Sequence, residues 1–177
     1  IRVLRAAGYD VFAPTPAAGR PYCCGRTYLS AGMIDKARAE AERLVTALYP
    51  LARSGVRIVG LEPSCTLALR DEVPALLGTA QAEAVAEATL TFAELIEADR
   101  PDLPMSVEAD GRPVKLHGHC HQKAFDLVKP AEAVLRDIAG AEVEVIETSC
   151  CGMAGAFGYG RDTYDVSIRM AEASLLP

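Results

Sequence analysis

Six cysteines carry the chemistry that this sequence can perform. They form two adjacent pairs, each followed by glycine, and two single residues: Cys23 with Cys24, Cys150 with Cys151, Cys65, and Cys120. Thiolates are soft ligands that select iron–sulfur clusters or zinc over hard cations. Several thiolates in one cleft repel each other unless a metal neutralises their charge. The pattern therefore favours a shared metal or cluster site.

Consecutive cysteines favour a cluster over a single metal ion. Two adjacent residues cannot both point into one tetrahedral site without bending the backbone, and Gly25 and Gly152 supply that freedom. On a multi-iron cluster, adjacent sulfurs can reach different irons. We therefore predict an iron–sulfur cluster, with zinc as the alternative metal.

Other uses of the thiols remain as alternatives. A zinc-stabilised structural or interaction domain would use four of them without redox chemistry. A thiol-redox enzyme would need a resolving partner, and the sequence contains no Cys-x-x-Cys motif. Structural disulfides are disfavoured, because adjacent cysteines bond poorly to each other and the first residues lack the pattern of a secretory signal.

Three histidines alternate around Cys120, at positions 117, 119 and 121. In an extended segment, His119 and His121 would share one face while Cys120 points to the other. A tight turn could still bring His121 beside the metal. The alternative is that these histidines hydrogen-bond to the local backbone or to solvent.

The hydrophobic pattern predicts alternating helices and strands that end near the cysteines. We expect strands at Asp10–Ala13, Val56–Leu61, Val114–His117 and Glu142–Ile146. We expect helices at Arg2–Gly8, from a Ser30 cap to Gly55, at Gln81–Asp99, from Lys123 to Ile138, and at Tyr164–Leu176. Open α/β sheets keep their sites at the carboxyl ends of strands.

An internal duplication is the second strong signal. The sequence contains the same order of elements twice: a helix beginning Val-Leu-Arg, then a strand, then Cys-Cys-Gly. The first copy begins at Val3 and the second at Val134. We therefore predict two similar Rossmann-like α/β halves, with all six cysteines at their shared cleft. The halves are assigned to residues 1–100 and 113–177, with a linker at 101–112. Because residue 1 is Ile inside a helical pattern, we expect a fragment whose first half lacks its beginning and whose second half lacks its end.

Composition narrows the classes of partner. The 177 residues are 50% hydrophobic and 24% charged, which predicts a folded core. A net charge of −6 without a basic run disfavours nucleic acid, because phosphate binding needs clustered cations. The sequence also lacks an apolar run long enough for a transmembrane segment.

Four segments resemble a known family: Cys23-Cys-Gly-Arg-Thr-Tyr-Leu-Ser-Ala-Gly32, Leu61-Glu-Pro-Ser-Cys65, His117-Gly-His-Cys-His-Gln-Lys123 and Ser149-Cys-Cys-Gly-Met-Ala-Gly-Ala-Phe-Gly-Tyr159. They resemble the cysteine-rich CCG domain of heterodisulfide reductase B subunits, glycolate oxidase iron–sulfur subunits and anaerobic glycerol-3-phosphate dehydrogenase C subunits. The strongest resemblance is to the C-terminal iron–sulfur part of FAD-linked D-lactate-dehydrogenase-like oxidoreductases. The leading cysteine of the first copy and the trailing cysteine of the second copy are absent from this sequence.

The resemblance implies electron transfer from a flavin dehydrogenase, acting on a 2-hydroxy acid or similar alcohol, to a quinone or another carrier. In that family such motifs hold a non-cubane 4Fe-4S cluster, while some copies bind zinc. FAD would lie on a separate domain or subunit. The implied metal ligands are Cys24, Cys65, Cys120, Cys150 and Cys151, and Cys23 would also contact the cofactor. His121 joins this set only through the turn described above. The implied location is cytoplasmic, at the inner face of the membrane where partners hold it there.

Overall fold

Short parallel strand pairs flanked by helices form both parts of this chain. The computed structural model describes residues 1–16, 19–103 and 112–176. The chain divides into two units, Ile1–Pro104 and Met105–Pro177. The division falls inside the predicted linker, which stays a prediction because its residues 104–111 lie outside the described ranges.

The first unit is mostly helical. Its helices are α1 (Arg2–Ala6), α2 (Arg26–Ser30), α3 (Ile34–Arg53), α4 (Pro63–Arg70), α5 (Glu72–Leu77), α6 (Ala80–Ala88) and α7 (Phe92–Asp99). Its strands, β1 (Ile58–Gly60) and β2 (Thr89–Thr91), pair in parallel with Ile58 opposite Thr89 and Gly60 opposite Thr91. Helices α4, α5 and α6 form the crossover between the two strands.

Helix α3 organises the core of the first unit. Its apolar side chains recur every three or four residues and are buried: Ala37, Ala41, Leu44, Val45 and Leu48. This face packs against α6, where Ala82 and Val85 are fully buried. None of the described helices, α3 included, is long and apolar enough to span a membrane.

The second unit is built around its own strand pair. Its helices are α8 (Cys120–Ala124), α9 (Val128–Ala133), the π-helical turn Val134–Ile138, the 3₁₀ turn Phe157–Tyr159 and α10 (Tyr164–Glu172). Strands β3 (Val114–Leu116) and β4 (Val143–Val145) pair in parallel, with Leu116 opposite Val145. Both strands therefore end at the same edge, where the next residues lead to Cys120 and Cys150.

The structure confirms the α/β class. Each described sheet has two parallel strands, which is smaller than the sheet of a Rossmann-like domain. The duplicated Rossmann-like halves therefore stay a prediction. Three predicted strands are found in shortened form as β1, β3 and β4, because a short apolar run between turn residues marks a buried strand.

Several predicted elements are wrong in detail. Asp10–Ala13 is not a strand, and the prolines that follow it lack the N–H groups that a strand ladder needs. The helix predicted at Gln81–Asp99 is interrupted by β2, since the Thr89 hydroxyl donates to the Val85 carbonyl where α6 ends.

Helix boundaries differ as well. The helix predicted from a Ser30 cap begins at Ile34 with Met33 as its N-cap, and Ser30 ends α2 instead. The helix predicted at Lys123–Ile138 begins three residues earlier, at Cys120, and breaks before α9 at Asp126, whose φ is +58°.

Thr91 closes the junction between β2 and α7. Its hydroxyl accepts from the Glu94 N–H at 3.2 Å, and the Glu94 carboxylate accepts from the Thr91 N–H at 2.8 Å, a reciprocal capping box. Arg70 of α4 donates to the same carboxylate at 2.8 Å and 3.0 Å. Burial acts to raise the pKa of Glu94, but the hydrogen bonds from Thr91 and Arg70 outweigh it and lower this pKa.

We predict that Thr91→Val lowers the free energy of unfolding by about 1 kcal/mol, because it keeps the side-chain shape but removes the capping oxygen. Thr46→Val is the control, since the exposed Thr46 hydroxyl only donates to the Glu42 carbonyl within α3. The control should change stability by less than about 0.5 kcal/mol. Urea denaturation followed by circular dichroism measures both, and equal effects would contradict the capping role.

Candidate metal centre

The two Cys-Cys-Gly segments adopt the same local conformation. Gly25 and Gly152 each have a φ of +82°, in the left-handed region that favours glycine. The Gly25 N–H donates to the Cys23 sulfur at 3.4 Å, and the Gly152 N–H donates to the Cys150 sulfur at 3.3 Å. In each unit, one sulfur of the pair thus accepts a backbone hydrogen bond. Such bonds stabilise negative charge on a thiolate ligand.

Each glycine also lies directly against a helix backbone. A Cβ at Gly25 would lie 2.7 Å from the carbonyl oxygen of Ala37, the fourth residue of α3. A Cβ at Gly152 would overlap the carbonyl oxygen of Ser167, the fourth residue of α10. The Ser167 hydroxyl, which is buried, donates to the Gly152 carbonyl at 2.8 Å. The turn after each cysteine pair therefore packs on the first turns of a helix later in its unit, α3 or α10.

The first unit brings two predicted ligands together. Cys24 is buried and Cys65 is exposed, and the two thiols are close enough for Cys24 to raise the pKa of Cys65. Partial burial of the Cys65 sulfur, this contact with Cys24, and the nearby Glu62 carboxylate all raise the pKa of Cys65. Cys65 therefore favours its protonated thiol when no cation offsets the negative charge.

Glu62 has a defined role as the N-cap of α4. Its carboxylate accepts from the Ser64 N–H at 3.0 Å and from the Cys65 N–H at 2.6 Å. Pro63 occupies the first helical position, where its missing N–H leaves no donor unsatisfied. The cap therefore fixes Cys65 in the first turn of α4, directly after β1.

Cys120 lies in a similar position in the second unit. It is the first residue of α8, and His119 is the N-cap. The His119 Nδ1 accepts from the His121 N–H at 3.2 Å, while the Gln122 side chain accepts from the His119 N–H at 3.2 Å. The expectation that a histidine bonds the local backbone is confirmed for His119, whose Nδ1 is therefore engaged.

His117 bonds across to the loop after β4. Its Nδ1 lies 3.1 Å from the Thr148 hydroxyl. Burial lowers the pKa of His117, and the charges of Lys123 and His119 act in the same direction. This bond joins the segment that leads to Cys120 with the segment that leads to Cys150.

The predicted ligands are only partly gathered. Cys150 and Cys151 are half-buried, Cys120 is exposed, and all six cysteines are free thiols. Within residues 1–16, 19–103 and 112–176, no group of three or more His, Cys, Asp or Glu side chains is already arranged to hold a metal ion. The donor set nevertheless fits a soft metal by its chemistry, since the thiols are free and two of them accept backbone N–H bonds. The convergence of all six thiols, and a ligand role for His121, stay predictions.

Sequence reasoning missed the charges that fix the loop before Cys23. Arg43 of α3 donates to the Arg20 carbonyl at 3.2 Å and to the Pro21 carbonyl at 2.6 Å. Its partner Glu40 is almost fully buried and also pairs with the Arg20 side chain. Glu40 and Arg43 are three residues apart on one helix face, and this spacing could have predicted their ion pair from the sequence.

Comparison with known proteins finds two kinds of similar dehydrogenase. The chain is 28% identical over 173 residues to the C subunit of the anaerobic glycerol-3-phosphate dehydrogenase of Escherichia coli (strain K12), covering 94% of this chain and 41% of that protein. It is 28% identical over 145 residues to the D-2-hydroxyglutarate dehydrogenase of the same strain, covering 81% of this chain and 14% of that protein. For the D-2-hydroxyglutarate dehydrogenase of Pseudomonas putida, the identity is 28% over 170 residues, with 94% and 16% covered.

The chain thus spans less than half the length of these curated relatives. No family model matches the chain, and no solved structure matches it significantly. Because both kinds of relative are dehydrogenases by name, the similarities support the expectation of an oxidoreductase. The finer resemblance to a CCG domain stays a prediction.

We predict that Gly152→Ala lowers the free energy of unfolding by more than its backbone strain alone, which is about 1–2 kcal/mol. The added methyl group overlaps the Ser167 carbonyl, so the turn or α10 must move. Gly155→Ala is the matched control, with a φ of +68° and open space around its Cβ position. Urea denaturation of both variants isolates the packing contribution. Equal losses would show that the contact with α10 is unimportant.

Proposed function

We propose that this chain is an iron–sulfur electron-transfer module of an oxidoreductase. The observation that carries the proposal is the repeated conformation of the two Cys-Cys-Gly segments. In both units a left-handed glycine follows the pair, its N–H donates to the first sulfur, and it packs on the fourth residue of a later helix, α3 or α10. This recurrence also supports an internal duplication of two similar halves.

The proposed ligands are the thiols at the strand ends and the paired cysteines. They are Cys24, Cys65, Cys120, Cys150 and Cys151, with His121 as a further ligand and Cys23 in contact with the cofactor. An iron–sulfur cluster, when bound, accepts and releases single electrons at a potential set by its ligands, hydrogen bonds and solvent exposure. A 4Fe-4S cluster, including a non-cubane form, is the proposed type.

The N–H groups of Gly25 and Gly152 contribute to this function. The Gly152 N–H donates to Cys150, a proposed ligand, and the Gly25 N–H donates to Cys23, which would contact the cofactor. In the first unit, the pKa of Cys65 is raised, although a thiol must be deprotonated to bind a metal. A bound metal cation offsets the charge of Cys24 and Glu62 that disfavours the Cys65 thiolate. We infer that deprotonation of Cys65 accompanies cluster assembly.

The proposed electron donor is a flavin dehydrogenase domain or subunit that binds FAD. The similar proteins are named for dehydrogenation of glycerol 3-phosphate and D-2-hydroxyglutarate, an alcohol and a 2-hydroxy acid. We propose a substrate of this class for the partner, and a quinone or another carrier as the acceptor. A cytoplasmic location, at the inner membrane face through partners, follows from the same proposal.

The test is anaerobic reconstitution of the chain with ferrous iron and sulfide. We predict visible charge-transfer absorption, bound iron and sulfide in defined stoichiometry, and an electron paramagnetic resonance signal in one redox state. Cys65→Ser and Cys120→Ser should each lose most of the bound iron and sulfide, because an alcohol is a poor ligand for these irons.

Parallel loading with zinc separates the alternatives. Circular dichroism of each variant establishes that the metal-free chain is folded before loading. A folded chain that takes up zinc but neither iron nor sulfide would contradict the proposal and favour a zinc-stabilised domain. Cysteine variants that keep the full iron and sulfide content would contradict the ligand assignment.

A further inference from the structure

The Lys123 side chain hydrogen-bonds to the loop that precedes the second cysteine pair. Its ammonium group donates to the Thr148 carbonyl at 2.8 Å, to the Thr148 hydroxyl at 3.3 Å and to the Ser149 carbonyl at 3.5 Å. These two residues lie directly before Cys150. Lys123 itself lies on α8, one turn after Cys120. The lysine therefore connects the helix that carries one thiol with the loop that carries two others.

The Thr148 hydroxyl links Lys123 to His117. An ammonium group only donates, so the Thr148 hydroxyl oxygen accepts from Lys123. The same hydroxyl hydrogen-bonds to the His117 Nδ1, 3.1 Å away. The Ser149 N–H donates in turn to the Ser174 hydroxyl at 2.8 Å. The loop before Cys150 is thus held from the β3 side by Lys123 and His117, and by Ser174.

The first unit has an equivalent arrangement from a different element. Arg43 donates to the carbonyls of Arg20 and Pro21, which lie three and two residues before Cys23. The guanidinium also lies over the Tyr22 ring, 4.9 Å from its centroid. Arg43 is on the helix after its cysteine pair, whereas Lys123 is on a helix before its pair. A cation on the carbonyls just before the pair is therefore common to both units although the elements that supply it differ.

A cation at this position serves two physical purposes. It satisfies backbone carbonyls that point together and would otherwise repel, which fixes the approach of the chain to the paired thiols. In the second unit it also places a positive charge at the carbonyl of Ser149, the residue before Cys150. Lys123 is half-buried, so solvent screens this charge less than it would a fully exposed lysine.

We infer that Lys123 is a positioning residue for the thiols of the second unit, and that its charge favours the reduced state of the metal site they form. The effect of Lys123 on the reduced state rests on the proposed function, which it deepens. The placement of Cys150 and Cys151 concerns the chain's own loop and is testable without metal.

The first experiment measures thiol alkylation in the metal-free, reduced chain. We expect Lys123→Met to raise the rates at Cys150 and Cys151 about tenfold, because the loop loses its anchoring bonds. Lys129→Met is the matched control, since Lys129 is exposed and pairs with Asp126 in the turn between α8 and α9. Quenched iodoacetamide labelling with peptide mass spectrometry resolves each cysteine. Rates equal to those of the parent and of Lys129→Met would overturn the positioning role.

The second experiment measures the reduction potential of the anaerobically reconstituted chain. We expect Lys123→Met to make reduction less favourable by about tenfold, which is about 59 mV for a one-electron couple. Lys123→Arg, which keeps the charge, should restore most of the potential, and Lys129→Met should match the parent. An unchanged potential in a fully loaded Lys123→Met chain would overturn the charge effect.

These outcomes separate the inference from the proposed function. A parent chain that binds no iron or sulfide overturns the proposed function, while the alkylation rates still test the positioning role. If Lys123→Met does not fold, Lys123→Gln takes its place, because it is shorter and neutral and removes the ammonium group that bonds to the Thr148 and Ser149 carbonyls. Unchanged alkylation rates in a folded Lys123→Gln chain would then overturn the inference.

Discussion

A backbone-to-backbone contact determines where the paired cysteines lie. In both units the glycine after the pair lies against a carbonyl in the first turns of a later helix, α3 or α10, and only a residue without Cβ fits there. The glycine's left-handed φ turns its N–H toward the first sulfur of the pair. The packing of α3 and α10 thus becomes a constraint on the thiols. The buried face of α3, which packs in the first unit's core, therefore also helps to position Cys23 and Cys24.

The sequence predicts the elements that are determined by short stretches of neighbouring residues. Strands β1, β3 and β4 follow from short apolar runs, and α3 follows from apolar residues at helical spacing. Strand β2 was missed because Gln81–Asp99 has a continuous helical pattern. Its interruption depends on the Thr89 hydroxyl bonding back to α6 and on pairing with β1, which lies about thirty residues earlier in the chain. Pairing partners distant in sequence leave little trace in a hydrophobic pattern.

The same limit applies to the site. The six cysteines and the two special glycines are evident from residue type and spacing. The cations that hold the loops are not, because Lys123 and Arg43 bind backbone carbonyls, and any residue supplies a carbonyl. Glu62 and His119 illustrate the opposite case, since each lies immediately before or near a lone cysteine and could have been a ligand by type. Their engagement as helix caps emerges only from the turn geometry.

These caps affect which donor atoms near the lone cysteines are available to a metal. At Cys65, both carboxylate oxygens of Glu62 accept backbone N–H groups of α4. At Cys120, the Nδ1 of His119 accepts the His121 N–H of α8. The polar side chains most able to compete for a metal are thus bound to the backbone, and each cap places a thiol in the first turn of its helix. Both caps thus leave sulfur as the soft donor in the first turn of the helix, which fits the ligand chemistry of the proposed iron–sulfur centre.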